Sequence, residues 1–194
     1  MKSPLHRGRG SDHAAGMRDE FPKDHIEALW APWRVEYFQA EHRSPEDFLL
    51  KAASGPDDEH LVVARIGTGF LIMNKYPYSA GHLMAVTNRK VGQMEELREE
   101  EIVDLWRLCI LAQRMLRIAV RAQGFNVGWN IGKASGAGVG DHLHLHVVPR
   151  WQGDSNFIAV TGGTRIIPEG LRPLYERLVA IREELERGDA AVSA

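Results

Sequence analysis

The sequence has little of several features that mark other classes of protein. It contains one cysteine, Cys109, so no disulfide can form within the chain. It has no apolar run long enough to span a membrane or to act as a signal peptide. Its formal net charge is -2, without the basic excess that binding to nucleic acid phosphates requires. We therefore expect a cytoplasmic protein that binds neither membranes nor nucleic acids.

The composition predicts one globular domain. Hydrophobic residues make up 44% and charged residues 26% of the 194 positions. A chain of this length buries about 70% of its unfolded surface. Residues 1–24 are polar and basic and lack apolar periodicity, which predicts a disordered leader. Residues 25–194 are then the domain, with an aromatic N-terminal arm at its start and a helix near its C-terminal end.

The strand predictions depend on short apolar runs bounded by glycine and proline. Besides the histidine-rich strand described below, the predicted strands span residues 61–65, 70–74, 82–86, 125–131 and 156–160. The first two form a hairpin at residues 67–69, and residues 39–59, which hold two prolines, are predicted to be a loop. Strands outnumber helices and pair as hairpins, so the predicted class is α+β with an antiparallel sheet.

Two helices are predicted from apolar residues at intervals of three and four. The first spans residues 99–122, with Gly124 as its stop, and the second spans residues 171–187, with Gly188 beyond it. The apolar stripe of the first helix comprises Ile102, Leu105, Trp106, Cys109, Ala112, Leu116 and Ala119.

Histidines alternate with apolar residues in the segment His142-Leu143-His144-Leu145-His146-Val147-Val148. Since residues two apart on a strand share a face, the three histidines would line one side and the apolar residues would enter the core. The outer two Cα atoms would lie roughly 13 Å apart, which makes one zinc ion bound by all three rings improbable. Imidazoles arranged in this way can instead hold one ring in a fixed tautomer, with its second nitrogen available as a nucleophile.

A glycine-rich stretch directly precedes the histidines. Residues 132–140 contain four glycines, whose backbone N–H groups can curl around an anion and let a phosphate approach closely. Joined to a histidine strand, this loop suggests phosphate chemistry.

With these motifs the chain resembles the histidine triad (HIT) superfamily. The signature His-φ-His-φ-His-φ-φ, in which φ is apolar, matches residues 142–148, and the element Asn-x-x-Pro-x-x-x-Gly-His-Leu matches residues 74–83. Residues 124–132 and 149–157 also resemble the bacterial branch that includes diadenosine tetraphosphate phosphorylases. The resemblance implies a HIT-like α+β fold with one long helix, one C-terminal helix and a two-fold homodimer.

The resemblance also implies roles for individual residues. His144 would be the nucleophile that forms a nucleotidyl-histidine, while His142 and His146 would orient it and help to protonate the leaving phosphate. The residues implied to bind the nucleotide are Phe70 and Ile72 at adenine, Asn74 at the ribose, Asn130 at a phosphate or a neighbouring histidine, His82 behind the triad, and Lys133, Gly136, Gly138, Val139, Gly140 and Asn156 around the polyphosphate.

The chain departs from many relatives at the positions that hold a structural zinc. Where those relatives have a Cys-x-x-Cys element and a further histidine, this chain has residues 46–49, Glu-Asp-Phe-Leu, and Arg89-Lys90. We therefore expect no metal, and no cofactor is implied.

The resemblance favours an enzyme that cleaves dinucleoside polyphosphates. Phosphorolysis of diadenosine tetraphosphate to ADP and ATP is preferred, with AMP as a further ligand and inorganic phosphate as a second substrate that Lys133, Ser135, Arg150 or Asn156 could bind. Alternatives are a diadenosine polyphosphate or nucleoside phosphoramidate hydrolase and a purine-nucleotide-binding interaction module with residual activity. A metal-dependent, histidine-rich enzyme is disfavoured by the spacing of the histidines and by missing carboxylate ligands.

Overall fold

A computed structural model describes residues 48–154 and 169–192 of the chain, all within one compact unit. The predictions for the leader at residues 1–24, the aromatic arm, the strand at residues 156–160 and Asn156 lie outside the described residues.

The described residues form one sheet and two long helices. The elements are α1 Phe48–Ser54, α2 Asp57–His60, β1 Val62–Ile66, β2 Gly69–Met73, β3 Leu83–Thr87, α3 Glu99–Ala119, β4 Gly124–Trp129, β5 His144–Arg150 and α4 Leu171–Val192. The strand order is β1-β2-β3-β5-β4, and every neighbouring pair is antiparallel. The predicted α+β class, the hairpin and both helices are therefore confirmed.

The strand register places the histidines on one face of the sheet and the main hydrophobic core on the other. Because Met84 pairs with His146 and Val86 with His144, these four side chains share one face. On the opposite face, residues such as Leu145 join α3 and α4 in the main core. The histidine face carries a smaller buried group, here called the site-side cluster, formed by Leu49, Ala52, Val62, Phe70, Ile72, Met84, Val86 and Val139.

The predicted end of α3 was wrong. The helix ends at Ala119, and the chain reverses at Arg121, which adopts a left-handed conformation with φ 52°. Gly124 is the first residue of β4. The N–H groups of Val120 and Ala122 both donate to the carbonyl of Leu116, which completes the last turn without a glycine.

The predicted apolar stripe of α3 was also wrong in part. Ile102 and Trp106 are 42% and 51% exposed, whereas Leu108 and Met115 are fully buried. The buried face begins with Glu101 and Asp104, whose charges have partners in neighbouring loops. Counting only apolar residues therefore placed the buried face roughly 50° of helix rotation away from its true position.

Short helices replace part of the loop predicted at residues 39–59. Leu49 and Ala52 of α1 are fully buried in the site-side cluster. The guanidinium of Arg65 donates to the carbonyls of Ala52, Ala53 and Gly55, so a side chain of β1 supplies partners for the end of this helix. At the other end of the chain, α4 continues through Gly188, and Asp189 beyond it binds Arg114 of α3 at 2.6 Å.

Met115→Ala should destabilise the protein by about 2–5 kcal/mol, because it leaves a cavity against α3 where the side chain is fully buried. Met94→Ala is the matched control: that side chain is 46% exposed, and surface changes usually stay within about 0.5 kcal/mol. Urea unfolding monitored by circular dichroism measures both. Equal losses of stability would contradict the assigned core.

Candidate active site

A cavity opens on the histidine face of the sheet. Its wall combines β5 histidines, the glycine-rich loop, the turn after β2 and the start of α1. The lining residues are Phe48, Asn74, Tyr76, Tyr78, Asn130, Gly136, Gly138, Val139, His144 and His146.

One hydrogen bond decides which ring nitrogen of His144 carries the hydrogen. Its Nδ1 lies 2.9 Å from the carbonyl oxygen of His142, so Nδ1 carries the hydrogen and donates it. In the neutral ring, the lone pair is then on Nε2, and His144 lines the cavity. Burial lowers the pKa of His144 from its ordinary value of 6.5, with the bond to His142 opposing and the neighbouring charge of His142 adding to this effect. The ring is therefore neutral and unprotonated at Nε2 near pH 7.

His142 lies behind the nucleophile. Its Nε2 donates to the carbonyl of Thr87 at 2.9 Å, and its side chain is fully buried. β5 begins at His144, so His142 precedes the strand on which the other two histidines lie. His142 is thus placed to fix the backbone carbonyl that His144 uses, and it is absent from the residues that line the cavity.

A hydrogen-bond chain sets the tautomers of His82 and His146. The backbone N–H of Tyr78 donates to Nδ1 of His82, which leaves the hydrogen of a neutral His82 on Nε2. That nitrogen lies 2.9 Å from Nδ1 of His146, so His146 accepts there and carries its own hydrogen on Nε2. Both side chains are more than nine-tenths buried. His146 therefore offers an N–H to the cavity it lines.

Two asparagines flank these histidines. The Asn74 oxygen accepts the N–H of Tyr76 at 2.8 Å, which fixes the amide so that its nitrogen faces Nδ1 of His82 at 3.3 Å. The Asn130 amide lies 3.3 Å from Nε2 of His146. In the structure the Asn130 amide nitrogen faces this Nε2, so Asn130 accepts the hydrogen of His146 only when its amide is turned to present the oxygen. Both asparagines line the cavity, and their contact with a nucleotide stays a prediction.

The glycine-rich loop contributes backbone to the cavity. Gly136 and Gly138 line it, and Gly136 has φ +83°, a conformation that other residues adopt only with strain. Val139 also lines the cavity and is 6% exposed, and Gly140 follows it towards the triad. Lys133 lies in a short 3₁₀ turn, Lys133–Ser135, and its side chain is outside the described residues.

Phe70 and Ile72 lie deeper than the other predicted residues. Both belong to the site-side cluster, are at most 1% exposed and do not line the cavity. Their contact with adenine stays a prediction. Each supports the floor beneath the histidine face through Met84 and Val86, their partners in β3.

Sequence reasoning missed three aromatic residues of the wall, Phe48, Tyr76 and Tyr78. Phe48 fell in a stretch predicted to be a loop. Tyr76 and Tyr78 flank the proline of the Gly-His element, and this position was the signal that could have found them. The ring of Tyr78 lies 4.6 Å from that of His82 and 5.7 Å from that of His146, between centroids.

Within the described ranges the chain has neither a cluster of metal ligands nor a membrane-spanning helix. Residues 48–154 and 169–192 hold no group of three His, Cys, Asp or Glu side chains that could bind a metal ion. In the same ranges no helix is long and apolar enough to cross a membrane. The expectation that the whole chain binds no metal stays a prediction.

The HIT domain model matches residues 58–153, and the chain belongs to this family. Over 169 residues it is 38% identical to a protein named AP-4-A phosphorylase from Mycobacterium tuberculosis, covering 83% of this chain and 87% of that protein. It is 28% identical over 82 residues to the asymmetrical bis(5'-nucleosyl)-tetraphosphatase of Schizosaccharomyces pombe, covering 42% and 44%. A histidine triad nucleotide-binding protein from Sulfolobus tokodaii has a similar structure, with TM-score 0.58, 26% identity and coverage of 72% and 93%.

His144 should titrate below its ordinary value of 6.5, because burial disfavours the imidazolium. An NMR titration of protein labelled with ¹³C-histidine measures the midpoint, and the spectrum of His144→Asn assigns the resonance. In urea the titration midpoint of the same resonance should rise to about 6.5, the pKa of an unperturbed histidine. A folded midpoint at or above that of the unfolded chain would contradict the buried, neutral nucleophile.

Proposed function

We propose that this protein is a diadenosine tetraphosphate phosphorylase, which converts diadenosine tetraphosphate and inorganic phosphate into ADP and ATP through a nucleotidyl-histidine. The observation that carries the proposal is the bond from Nδ1 of His144 to the carbonyl of His142, which leaves Nε2 as a nucleophile at the cavity. The Mycobacterium tuberculosis relative, which aligns with this protein over most of both chains, is named AP-4-A phosphorylase. That name supports the choice of substrate and acceptor.

The cavity fits one nucleotide half of such a substrate. Phe48, Tyr76 and Tyr78 give it an aromatic wall on which an apolar base face can pack. Asn74 supplies an amide near the turn after β2, and the glycine-rich loop supplies backbone N–H groups for the phosphate. His144 lines the same cavity as the wall and the loop, so a nucleotide held by both would bring its α-phosphorus towards this residue.

In the first step, the lone pair on Nε2 of His144 attacks the α-phosphorus. The new N–P bond forms as the bond from phosphorus to the bridging oxygen breaks, and ATP leaves with the electron pair. The hydrogen on Nδ1 stays bonded to the carbonyl of His142, which stabilises the positive ring. His146 can donate a hydrogen bond from its Nε2–H to a phosphate oxygen, which stabilises the developing negative charge, while its Nδ1 keeps accepting from Nε2 of His82 at 2.9 Å.

In the second step, an oxygen of inorganic phosphate attacks the nucleotidyl phosphorus, and the bond to Nε2 breaks to give ADP. Two residues suggested for this acceptor have other tasks. The Arg150 guanidinium binds Asp154 and the side-chain oxygen of Asn126, and the Ser135 hydroxyl donates to the carbonyl of Gly132. We therefore assign the acceptor to the loop amides near Gly136 and Gly138, beside the leaving-group position.

The protein incubated with diadenosine tetraphosphate should produce equal amounts of ADP and ATP, at a rate that rises with phosphate concentration. Chromatography of the products measures this. His144→Asn is the control: it keeps the wall and loop, so nucleotide binding persists, while turnover should fall by at least about 10³-fold, as for loss of a covalent nucleophile. Wild type denatured at high pH early in the reaction should carry labelled AMP on His144, because the N–P bond survives base but is broken by acid.

If the products are AMP and ATP, and the rate does not depend on phosphate, the enzyme is a hydrolase and the proposed phosphorolysis is wrong. The name of the Schizosaccharomyces pombe relative, a tetraphosphatase, makes that the principal alternative. Both reactions share the first step and differ only in whether phosphate or water attacks the intermediate.

We also propose a cytoplasmic homodimer formed through α3 and β4. Apolar side chains cover the outer face of α3, where Ile102, Val103, Trp106, Ile110 and Ile118 are each more than 40% exposed. β4 is the last strand at its edge of the sheet, and Val127 on it is 37% exposed. A second copy related by a two-fold axis would cover this face and pair the edge strand.

Light scattering should give a mass of twice 21.8 kDa at micromolar concentration. Ile110→Asp should produce monomers, because it places a charge in a face that must lose its water to associate. Met94→Asp is the matched control, since Met94 is 46% exposed but lies outside α3. A wild type that is monomeric would contradict the dimer, and so would an Ile110→Asp protein of unchanged mass.

A further inference from the structure

Two acids in the first turns of α3 are buried among loops of the sheet. Glu101 is 2% exposed and Asp104 is 6% exposed. A buried carboxylate is strongly unfavourable without partners, and each of these two has partners on a different loop. Asp104 accepts from the backbone N–H and hydroxyl of Thr68, in the turn between β1 and β2. Glu101 accepts from Arg89, in the segment that follows β3.

A series of hydrogen bonds connects Glu101 with His144. The Arg89 guanidinium binds both carboxylate oxygens, at 3.0 and 2.8 Å. The carbonyl of Arg89 accepts the hydroxyl of Thr87 at 2.7 Å. The carbonyl of Thr87 accepts Nε2 of His142, and the carbonyl of His142 accepts Nδ1 of His144, each at 2.9 Å.

We propose that Thr87 and the Arg89–Glu101 ion pair are positioning residues for His144. They act by fixing the turn after β3, so that the carbonyl of Thr87 faces His142. The inference rests on the nucleotidyl-histidine chemistry proposed above, and it extends the catalytic arrangement beyond the histidines to the start of α3.

The buried hydroxyl of Thr87 is the central link. Thr87 is the last residue of β3 and is fully buried. Its hydroxyl closes the turn onto Arg89, which fixes the peptide plane that carries its own carbonyl. If this plane rotates, Nε2 of His142 loses its acceptor, the ring and backbone of His142 shift, and His144 loses the partner that holds the hydrogen on Nδ1. A second bond, from the N–H of Leu143 to the carbonyl of Val91 at 2.6 Å, ties the same two segments together.

The ion pair anchors this turn to the helix. Hydrogen bonding by Arg89 and by the N–H of Arg98 lowers the pKa of Glu101 against the opposing effect of burial. The carboxylate is therefore charged at neutral pH, and Arg89 also donates to the carbonyl of Glu96. These contacts hold the segment from Thr87 to Glu101 as one unit.

Thr87→Val tests the proposal, because it replaces a hydroxyl by a methyl group of similar size in a strand. With diadenosine tetraphosphate as substrate, we expect kcat to fall by about tenfold, the effect of one misplaced hydrogen bond in the transition state. KM and the affinity for AMP should change by less than about twofold, because the cavity wall is untouched. Thr87→Ser restores the hydroxyl and should recover most of kcat.

Thr68→Val is the matched control. It removes a threonine hydroxyl from the other buried acid of the same helix and keeps the backbone bond from Asn88 to Thr68. Its thermal midpoint should fall about as far as that of Thr87→Val, with kcat nearly unchanged. Equal kcat for the two variants would overturn the proposal, because their common effect would then be structural. A Thr87→Ser protein as impaired as Thr87→Val would overturn it too.

A readout without substrate separates this inference from the proposed function. In ¹⁵N NMR spectra of free wild type, His144 should show the Nδ1–H tautomer, and Thr87→Val should add the Nε2–H tautomer while Thr68→Val does not. A wild type that fails to cleave dinucleotides would refute the function yet leave this test intact. Identical tautomers in all three proteins would refute the positioning role.

Discussion

The hydrogen bond from Nδ1 of His144 to the carbonyl of His142 is the interaction on which the site depends. A free histidine exchanges its hydrogen between two nitrogens, and only the bare nitrogen can attack phosphorus. This bond assigns the hydrogen to the protein side and the lone pair to the cavity side. Because both partners are buried, water does not compete for either group. The nucleophile is thereby selected by the position of one backbone oxygen.

The antiparallel sheet explains why several histidines can be buried together. Register brings β3 beside β5, so His82, directly before β3, meets His146. Charged imidazoles at this separation would repel and lose hydration. Neutral rings avoid both effects, since each accepts at one nitrogen and donates at the other. The direction of this chain is set at its origin by a backbone N–H, that of Tyr78, which can only donate. The fold thus defines the tautomers with groups that do not titrate.

Alternation in the sequence predicted the faces of β5 correctly because period two is a property of any extended chain. It did not predict where the strand begins. His142 matches the pattern, yet it precedes the strand and donates to the carbonyl of Thr87 at the end of β3. No local signal distinguishes a residue on a strand from one that continues its spacing. The face of α3 was misjudged for a related reason. Glu101 and Asp104 look like solvated residues until their partners, 12 and 36 positions away, are brought beside them.

α1 and the aromatic wall were not predicted for the same reason, because their partners are also distant in sequence. A helix of seven residues has little stability alone, and this one forms against Phe70 and Ile72 of the sheet and the guanidinium of Arg65. Its packing brings Phe48 to the cavity. Phe70 and Ile72 can therefore serve the site in either of two ways, by touching a bound base or by supporting the helix that brings Phe48 to the cavity. Because both are already covered by α1, the second way needs no rearrangement of the structure.

The Arg89–Glu101 pair buries the carboxylate, while the arginine side chain stays 40% exposed. Such a pair is an inefficient source of stability, since the carboxylate loses hydration that offsets much of the attraction. Its geometry is nevertheless more restrictive than that of an apolar contact, because a bidentate guanidinium fixes both distance and orientation. The N-terminus of α3 further favours a carboxylate at Glu101, whose oxygen also accepts the N–H of Arg98. Arg89–Glu101 is thus suited to a segment whose exact placement matters more than its contribution to stability. The segment that it fixes carries the carbonyl to which His142 is bound.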